Sequence, residues 1–207
     1  MNQKNSLELD VCFGENDNPL NLFKDWFEEA KKHETNDPNA FSLATTDKKG
    51  TPSVRIVLLK DLQDDCFVFY TNLNSEKSKS LNDNPLASMC FYWKSIFRQI
   101  RITGKVLLVP DKTADEYYKS RSYGSKIGAW ASNQSSVLKN RNELNKLIEN
   151  YKIKYPDKEK VPRPKYWSGW KLKPESIEFW LEGKDRIHER LKYIKKEDKW
   201  IKLLLSP

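Results

Sequence analysis

The chain has 207 residues, of which 38% are hydrophobic, 12% aromatic and 32% charged, and its 37 basic and 29 acidic residues give a net charge of +8. This length suits one domain with a sizeable core, and the aromatic content excludes a disordered chain. The net charge permits a nucleic-acid partner, but charges of opposite sign alternate, as in residues 195–199. Such alternation is typical of a mixed solvated surface, so we expect no nucleic acid to bind.

The apolar segments and the cysteines indicate a cytoplasmic protein. Apolar runs such as Ile56–Leu59 are far shorter than the roughly 20 residues that a membrane-spanning helix needs, so we expect no membrane contact. The first residues lack a basic start followed by an apolar stretch, so we expect no secretory signal. Cys12, Cys66 and Cys90 are odd in number and show no CxxC spacing. We expect buried free thiols, which suit a reducing cytoplasm.

The first half of the chain reads as one helix followed mainly by strands. We expect residues 1–17 to form a flexible arm, and a helix follows because Asn18 can cap it and Pro19 suits its first turn. Apolar stretches between turn residues then predict further elements. These are strands Ala40–Thr45, Pro52–Leu59 and Cys66–Thr71, a short helix near Ser75–Asn82, and strands Leu86–Trp93 and Phe97–Val109.

The second half changes from helix to strand. The pattern is helical from Lys112 to Lys154, most strongly over Leu138–Tyr151, and prolines at 156, 162 and 164 mark a loop. Antiparallel strands interrupted by a helical block predict a mainly β fold with α-helices, a β-barrel with peripheral helices, as a single domain over residues 18–207. The predicted strands are Gly169–Leu172, Ser176–Leu181, Ile187–Ile194 and Trp200–Leu205.

Common catalytic motifs are missing from the sequence. It contains no GxGxxG, GxxxxGK[ST], HExxH or GxSxG, and with only two histidines and no thiol pair we expect no metal site. Tyr117, Arg121 and Ser125 recur at intervals of four through a helical stretch, which places them near one face. Cations and hydroxyls in such an array can bind a phosphate group, although each one alone is more simply a solvated surface residue.

Two strand segments carry further cations. Arg55 and Lys60 bracket an apolar run, but at five residues apart a regular strand points them to opposite faces. Both can contact ligands only if the strand bulges, ends near Lys60, or has ligands around its edge. In the other segment, alternation puts Arg186, His188 and Arg190 on one strand face. An anion opposite that face and an ordinary exposed strand explain this pattern equally well.

Six segments together resemble the pyridoxamine 5′-phosphate oxidase family, in the family's order and near its spacing, from about Asn18 to Pro207. Each segment alone is modest evidence, but the ordered set is strong. The segments are Arg55–Lys60, Phe69–Asn72, Arg98–Gln99, Ile127–Ser136, Ile177–Trp180 and Arg186–Arg190.

The resemblance implies an FMN-binding split β-barrel that forms a homodimer, with two FMN molecules at the subunit interface. It implies that one subunit's part of the FMN site is formed by Arg55, Ile56, Val57, Leu58, Leu59, Lys60, Tyr70, Thr71, Lys77 and Gln99. It implies that Gln134, Ser135, Trp180 and Arg190 reach FMN from the other subunit. The implied substrate-binding residues are Lys60, Tyr117, Arg121 and Ser125 at the phosphate, with Arg186 and His188 as the catalytic pair against the ring.

The implied activity is oxidation of pyridoxamine or pyridoxine 5′-phosphate by O₂ to pyridoxal 5′-phosphate. Hydrogen peroxide is released, with ammonia from the amine. Three alternatives remain open from the residues. They are a related flavin oxidase acting on another ring such as a phenazine precursor, a carrier that binds flavin or pyridoxal phosphate without turnover, and a basic nucleic-acid-binding barrel.

The sequence departs from the family's pattern at two places. The family usually has a basic residue directly before the lysine that matches Lys77, and here that residue is Glu76. Loss of one phosphate contact weakens binding by roughly 1–3 kcal/mol if nothing compensates. Many members also have an Arg and Tyr pair in an N-terminal arm that covers the substrate, and the arm here does not match it.

Overall fold

The computed structural model describes residues 3–207, so Met1 and Asn2, the start of the predicted arm, lie outside the described residues. Residues 3–207 form five α-helices and nine strands. The helices are α1 (Pro19–His33), α2 (Glu76–Asp83), α3 (Asp111–Ser120), α4 (Tyr123–Ala131) and α5 (Arg141–Lys154). The strands are β1 (Ala40–Thr46), β2 (Pro52–Leu58), β3 (Asp61–Gln63), β4 (Cys66–Asn72), β5 (Leu86–Trp93), β6 (Arg98–Leu108), β7 (Trp167–Leu181), β8 (Glu189–Lys196) and β9 (Lys199–Leu205).

All nine strands join one antiparallel sheet in the order β2-β1-β5-β6-β7-β4-β3, with β8 beside β7 and β9 beside β8. β7 is long enough to pair with β6 along one edge and with two strands along the other. Its first residues pair with β4 and its last with β8. The mainly β fold with peripheral helices is therefore confirmed.

The core lies on the concave side of the sheet and is rich in aromatic rings. Helix α1 begins as predicted, because the Asn18 side chain accepts a hydrogen bond from the Leu20 N–H at 3.0 Å. Its apolar face buries Phe23, which makes edge contacts with Phe67 and Phe91. These rings hold α1 against the sheet, because large buried aromatic side chains contribute much of a core's stability.

The described part of the predicted arm, residues 3–17, lies folded against the barrel. Phe13 is fully buried beside Trp26, whose indole N–H donates to the Cys12 carbonyl at 2.8 Å. Glu189, at the start of β8, accepts hydrogen bonds from the Lys4 side chain and from the Asp10 N–H. The segment is thus attached to the start of β8, directly after the predicted catalytic residues Arg186 and His188.

Several predicted boundaries are wrong. The helical stretch from Lys112 is divided into three helices, and the strongest predicted helix lies three residues later than expected, at Arg141–Lys154. The two strands predicted around Pro174 are one continuous strand with a register shift, in which Glu175 of β7 has no partner opposite the Thr103–Gly104 step of β6. A Cβ on Gly104 would lie 2.1 Å from the Lys173 carbonyl oxygen, so glycine permits this close approach.

The predicted strand Ile187–Ile194 begins only at Glu189, which removes Arg186 and His188 from the strand. Cys66 is buried, whereas Cys12 and Cys90 are half-buried, all as free thiols. None of the helices within residues 3–207 has the length and apolar character needed to cross a membrane.

Candidate active site

A cavity of about 350 Å³ lies between β4, β7, α3 and α4. The four residues predicted to bind the substrate phosphate, Lys60, Tyr117, Arg121 and Ser125, all line it. The spacing predicted that Tyr117, Arg121 and Ser125 share one helix face. They do not, because α3 ends at Ser120 and α4 begins at Tyr123. The turn between the two helices bends around the cavity and brings these side chains together.

Arg121 is held in this cavity by aromatic rings. Its guanidinium carbon lies 4.5 Å from the Trp167 ring centroid and 5.7 Å from that of Tyr118. Nη1 is buried and has no hydrogen-bond partner among the residues that the structure describes. Burial lowers the pKa of Arg121 because it penalises the charged form. A buried donor without a partner is costly, so this guanidinium is suited to an anionic ligand.

Three parallel rings form one wall of the cavity. Tyr70 stacks on Tyr117 with ring centroids 3.9 Å apart, and Trp167 lies parallel to both. The Tyr70 ring occupies the space above Gly169, where a Cβ would lie 2.8 Å from it. Sequence reasoning missed Trp167 because its place in the stack depends on the pairing of β7 with β4, which no local pattern reveals.

Lys77 forms a second cationic group directly beside the cavity. Its ammonium donates to Thr71 Oγ1 at 3.0 Å, Ser75 Oγ at 3.1 Å and Gln134 Oε1 at 3.1 Å, and two of these residues, Thr71 and Gln134, line the cavity. Burial, together with the smaller effect of the Arg55 charge, lowers the pKa of Lys77 to about 8. No carboxylate forms an ion pair with Lys77 within residues 3–207.

The α2 N-terminus lies next to this ammonium. Ser75 occupies the N-cap position, but its hydroxyl donates to the Asn72 carbonyl at 2.7 Å and does not cap the helix. The Glu76 N–H has only a long contact of 3.4 Å to Ser135 Oγ. Backbone N–H groups at a helix start and two neighbouring cations together form a phosphate-binding arrangement. The residues present therefore fit a phosphorylated cofactor.

Strand alternation predicted that Arg55 and Lys60 point to opposite faces, but the strand ends before it reaches Lys60. β2 ends at Leu58, and the chain turns so that the Lys60 N–H bonds to the Val68 carbonyl at 2.9 Å. Arg55 donates to Thr45 Oγ1 at 2.7 Å and to Ser53 Oγ at 2.8 Å. The apolar residues between them differ in exposure. Ile56 is exposed, Val57 and Leu58 are half-buried, and Leu59 is buried in the core.

Another cluster lies at the other end of β7. Gln99 on β6, Trp180 on β7 and Arg190 on β8 are directly opposite one another across three strands. Arg190 is oriented by Glu178, which accepts from its Nε at 3.0 Å and its Nη2 at 2.7 Å. Arg101 pairs with the same buried carboxylate at 3.1 Å.

The predicted catalytic pair flanks this second cluster but does not share a strand face. His188 packs on the Trp180 ring, with centroids 4.6 Å apart, and its Nδ1 accepts from the Gly183 N–H at 3.2 Å. The proton of the neutral ring is therefore on Nε2 in this arrangement. Arg186 is exposed and lies in a short turn where both it and Asp185 have positive φ. This turn replaces the expected strand start and directs the two side chains separately.

Within one chain, three of the expected FMN residues lie in a different group from the one that the resemblance implied. Gln134 contacts Thr71 and Lys77 of its own chain, and Ser135 lies beside Glu76. Gln99 belongs instead with Trp180 and Arg190. The group around Lys77 and the group around Trp180 are separated along β7. Tyr70, beside the first group, pairs with Gly169, and a straight strand would place Gly169 roughly 36 Å from Trp180.

Family models and curated proteins match nearly the whole chain. Residues 27–180 match the family model described as pyridoxamine 5′-phosphate oxidase, and residues 167–207 match the pyridoxine 5′-phosphate oxidase C-terminal dimerisation region. A Pelagibacter ubique protein named pyridoxine/pyridoxamine 5′-phosphate oxidase is 62% identical over all of both chains. A Rhizobium johnstonii protein of the same name is 47% identical over 94% of this chain and 95% of its own.

Two solved structures share the fold. PhzG from Burkholderia lata, in complex with tetrahydrophenazine-1-carboxylic acid, has a TM-score of 0.89 and 27% identity over 99% of this chain and 100% of its own. A pyridoxamine 5′-phosphate oxidase-related, FMN-binding protein from Nostoc punctiforme has a TM-score of 0.74 and 15% identity over 92% and 98%.

The chain is thus an oxidoreductase built on the split barrel of flavin-binding proteins, as the resemblance implied. It belongs to the pyridoxamine 5′-phosphate oxidase family.

The Gly183–His188 contact gives a prediction that needs no ligand. A Cβ on Gly183 would lie 1.8 Å from the Ile187 carbonyl oxygen, so Gly183→Ala must displace the turn. We expect loss of the hydrogen bond to Nδ1, a mixture of ring tautomers, and shifted imidazole ¹⁵N resonances for His188. The signals of His33, the other histidine, serve as the internal control. Unchanged His188 resonances in Gly183→Ala would contradict this role for the glycine.

Proposed function

We propose that this protein uses FMN and O₂ to oxidise pyridoxamine 5′-phosphate or pyridoxine 5′-phosphate to pyridoxal 5′-phosphate. Hydrogen peroxide is released, with ammonia from the amine. The observation that carries the proposal is a set of three cations without carboxylate partners in the described chain. Arg121 lies within the cavity, Lys77 lies beside it, and Arg55 is near enough to Lys77 to lower its pKa. Two phosphate monoesters, one on the cofactor and one on the substrate, would supply the missing negative charge.

The FMN phosphate is proposed to bind Arg55, Lys77 and the α2 N-terminus, with Thr71 and Gln134 completing the hydrogen bonds. This follows from the buried ammonium and the unused N–H groups described above. When bound, FMN would take two electrons from the substrate carbon and deliver them to O₂. The remaining proposed contacts are those of Ile56, Val57, Leu58, Leu59, Lys60, Tyr70 and Ser135 on the same chain, and Gln99, Trp180 and Arg190.

The substrate phosphate is proposed to bind Lys60, Tyr117, Arg121 and Ser125. Arg121 supplies an always-charged planar donor, and the hydroxyls of Tyr117 and Ser125 supply further hydrogen bonds. Anchoring the phosphate in this way would orient the ring carbon that reacts, and such positioning provides several kcal/mol of barrier reduction.

Arg186 and His188 are proposed to act on the substrate ring. Gly183 sets the His188 ring so that its Nε2–H is the available donor. Arg186 is exposed and lacks an ion-pair partner within residues 3–207, which leaves it available for a ligand of a neighbouring subunit. We assign both residues to orientation and charge stabilisation, because neither is placed as a covalent nucleophile.

The site is proposed to be shared across a homodimer. The Lys77 group and the Trp180 group lie near opposite ends of β7, up to roughly 36 Å apart along the strand, so we propose that each FMN takes one group from each subunit. The match of residues 167–207 to a dimerisation region supports this arrangement, since that region carries Trp180 and Arg190. A cytoplasmic location is also part of the proposal, supported by the three free thiols.

The proposed activity is tested by adding pyridoxamine 5′-phosphate to the flavin-loaded protein without oxygen. We expect the flavin absorbance band to bleach, to return when O₂ is admitted, and one peroxide to form per aldehyde. Unphosphorylated pyridoxamine is the matched control and should bleach the flavin much more slowly, because it makes no phosphate contact. Tight pyridoxal phosphate binding without bleaching would indicate a carrier. Equal rates with both compounds would indicate an oxidase of another ring substrate.

The shared site predicts complementation between two defective chains. Lys77→Met damages one group and Trp180→Leu the other, so each homodimer has two defective sites. In a symmetric dimer, a random mixture of unfolded and refolded chains should recover about a quarter of wild-type activity, because half the dimers gain one intact site. Each variant refolded alone is the control. No recovery at normal dimer yield would show that the site lies within one chain.

The lowered pKa of Lys77 predicts a pH dependence of FMN binding. The free ammonium loses its proton near pH 8, whereas a bound phosphate would favour the charged form. The dissociation constant should therefore be constant below about pH 7.5 and rise by up to about tenfold per pH unit above 8. Fluorescence titration from about pH 7 to about pH 9.5 measures this. Lys77→Met should bind weakly with a flat profile, and an equally steep profile in that variant would exclude Lys77 as its source.

A further inference from the structure

Trp167 stands out because it contacts the substrate-phosphate residues without belonging to any predicted site. Its side chain is 6% exposed, and its ring centroid lies 4.5 Å from the guanidinium carbon of Arg121. The same ring lies parallel to Tyr117 at 6.2 Å and edge-on to Tyr118 at 5.1 Å. One side chain therefore packs against two of the residues proposed to hold the substrate phosphate.

Two other arginines, Arg163 and Arg190, are held by carboxylates. Arg163 pairs with Asp111 and Asp115 at 2.7 Å and 2.6 Å, and its Nη1 donates to the Trp167 carbonyl. Arg190 is paired with Glu178. Within residues 3–207, Arg121 forms no such ion pair, and its guanidinium lies against the rings of Tyr118 and Trp167.

This difference matters for an anion-binding residue. A carboxylate would orient the guanidinium but also neutralise it and compete with the ligand for its N–H groups. A ring face attracts the cation through its quadrupole and orients the guanidinium plane, but it occupies none of the donors in that plane. Arg121 Nη1 is buried and unsatisfied, as this arrangement requires before a ligand binds.

We propose that Trp167 is a positioning residue for substrate-phosphate recognition, which holds Arg121 desolvated, oriented and free of a competing carboxylate. This inference rests on the proposed function. The ring acts through Arg121, so its removal should weaken binding of the phosphorylated substrate while leaving the flavin site and the chemical step largely intact.

The test compares Trp167→Leu, Trp167→Phe, Arg121→Ala and the double variant Trp167→Leu/Arg121→Ala. For Trp167→Leu we expect KM for pyridoxamine 5′-phosphate to rise roughly 5- to 30-fold with little change in kcat, because cation–π contacts at desolvated sites are of this strength. Trp167→Phe should recover most of the loss. In the Arg121→Ala background, Trp167→Leu should add nothing, since coupled residues are non-additive.

Equilibrium dialysis with pyridoxal 5′-phosphate gives a second readout that does not depend on turnover. Its dissociation constant should follow KM across the four variants. Trp200→Leu is the matched control, because Trp200 also packs under a cation, Lys195, at 5.6 Å, and lies outside the cavity. It should leave KM and flavin content unchanged.

Three outcomes would overturn the proposal. The first is an unchanged KM in Trp167→Leu, and the second is a full further loss when the substitution is added to Arg121→Ala. A fall in flavin content in both Trp167→Leu and Trp167→Phe would show a merely structural role and would also overturn it. If the wild-type protein neither oxidises nor binds the phosphorylated compounds, the proposed function itself fails, and that result is read before any variant.

Discussion

The length and pairing of β7 determine where every part of the candidate site lies. Its first residues pair with β4 and bring Trp167 and Gly169 to Tyr70, whereas its last residues align Trp180 with Gln99 and Arg190. A strand rises by about 3.3 Å per residue, so a single strand of this length keeps the two groups apart within one chain. This separation supports the proposed shared site, as does the match to the family's dimerisation region.

The protein has a net charge of +8, and its buried and half-buried cations are held in two different ways. Paired arginines such as Arg163 and Arg190 connect elements, because each satisfies a carboxylate. The cations at the cavity are instead held by hydroxyls, an amide or ring faces. These contacts offset part of the free energy that burying the charges costs, and a bound phosphate would offset more of it.

Periodicity and turn residues predicted most elements, including the α1 cap at Asn18 and the mainly β class. The errors fall where tertiary contacts override local pattern. Alternation placed Arg186 and His188 on a strand, but the steric requirement at Gly183 and the positive φ of Asp185 produce a turn. The resemblance supplied the phosphate residues that the cavity brings together, yet it could not reveal Trp167 or Glu178. Both act on neighbours that are distant in sequence and adjacent only through strand register.

Similarity of fold does not determine the substrate within this architecture. The Burkholderia lata structure matches this chain with a TM-score of 0.89, and it holds tetrahydrophenazine-1-carboxylic acid, which is a carboxylic acid and not a phosphate ester. Discrimination must therefore come from a few side chains in the cavity. In this chain we propose that the decisive one is Arg121, because a ligand that leaves its buried and unpartnered Nη1 unsatisfied would bind poorly. A site built to hydrogen-bond a group discriminates strongly against analogues that lack it, whereas apolar contacts with the ring discriminate weakly. The phosphate, and the ring faces that keep Arg121 available for it, would then account for most of the substrate specificity.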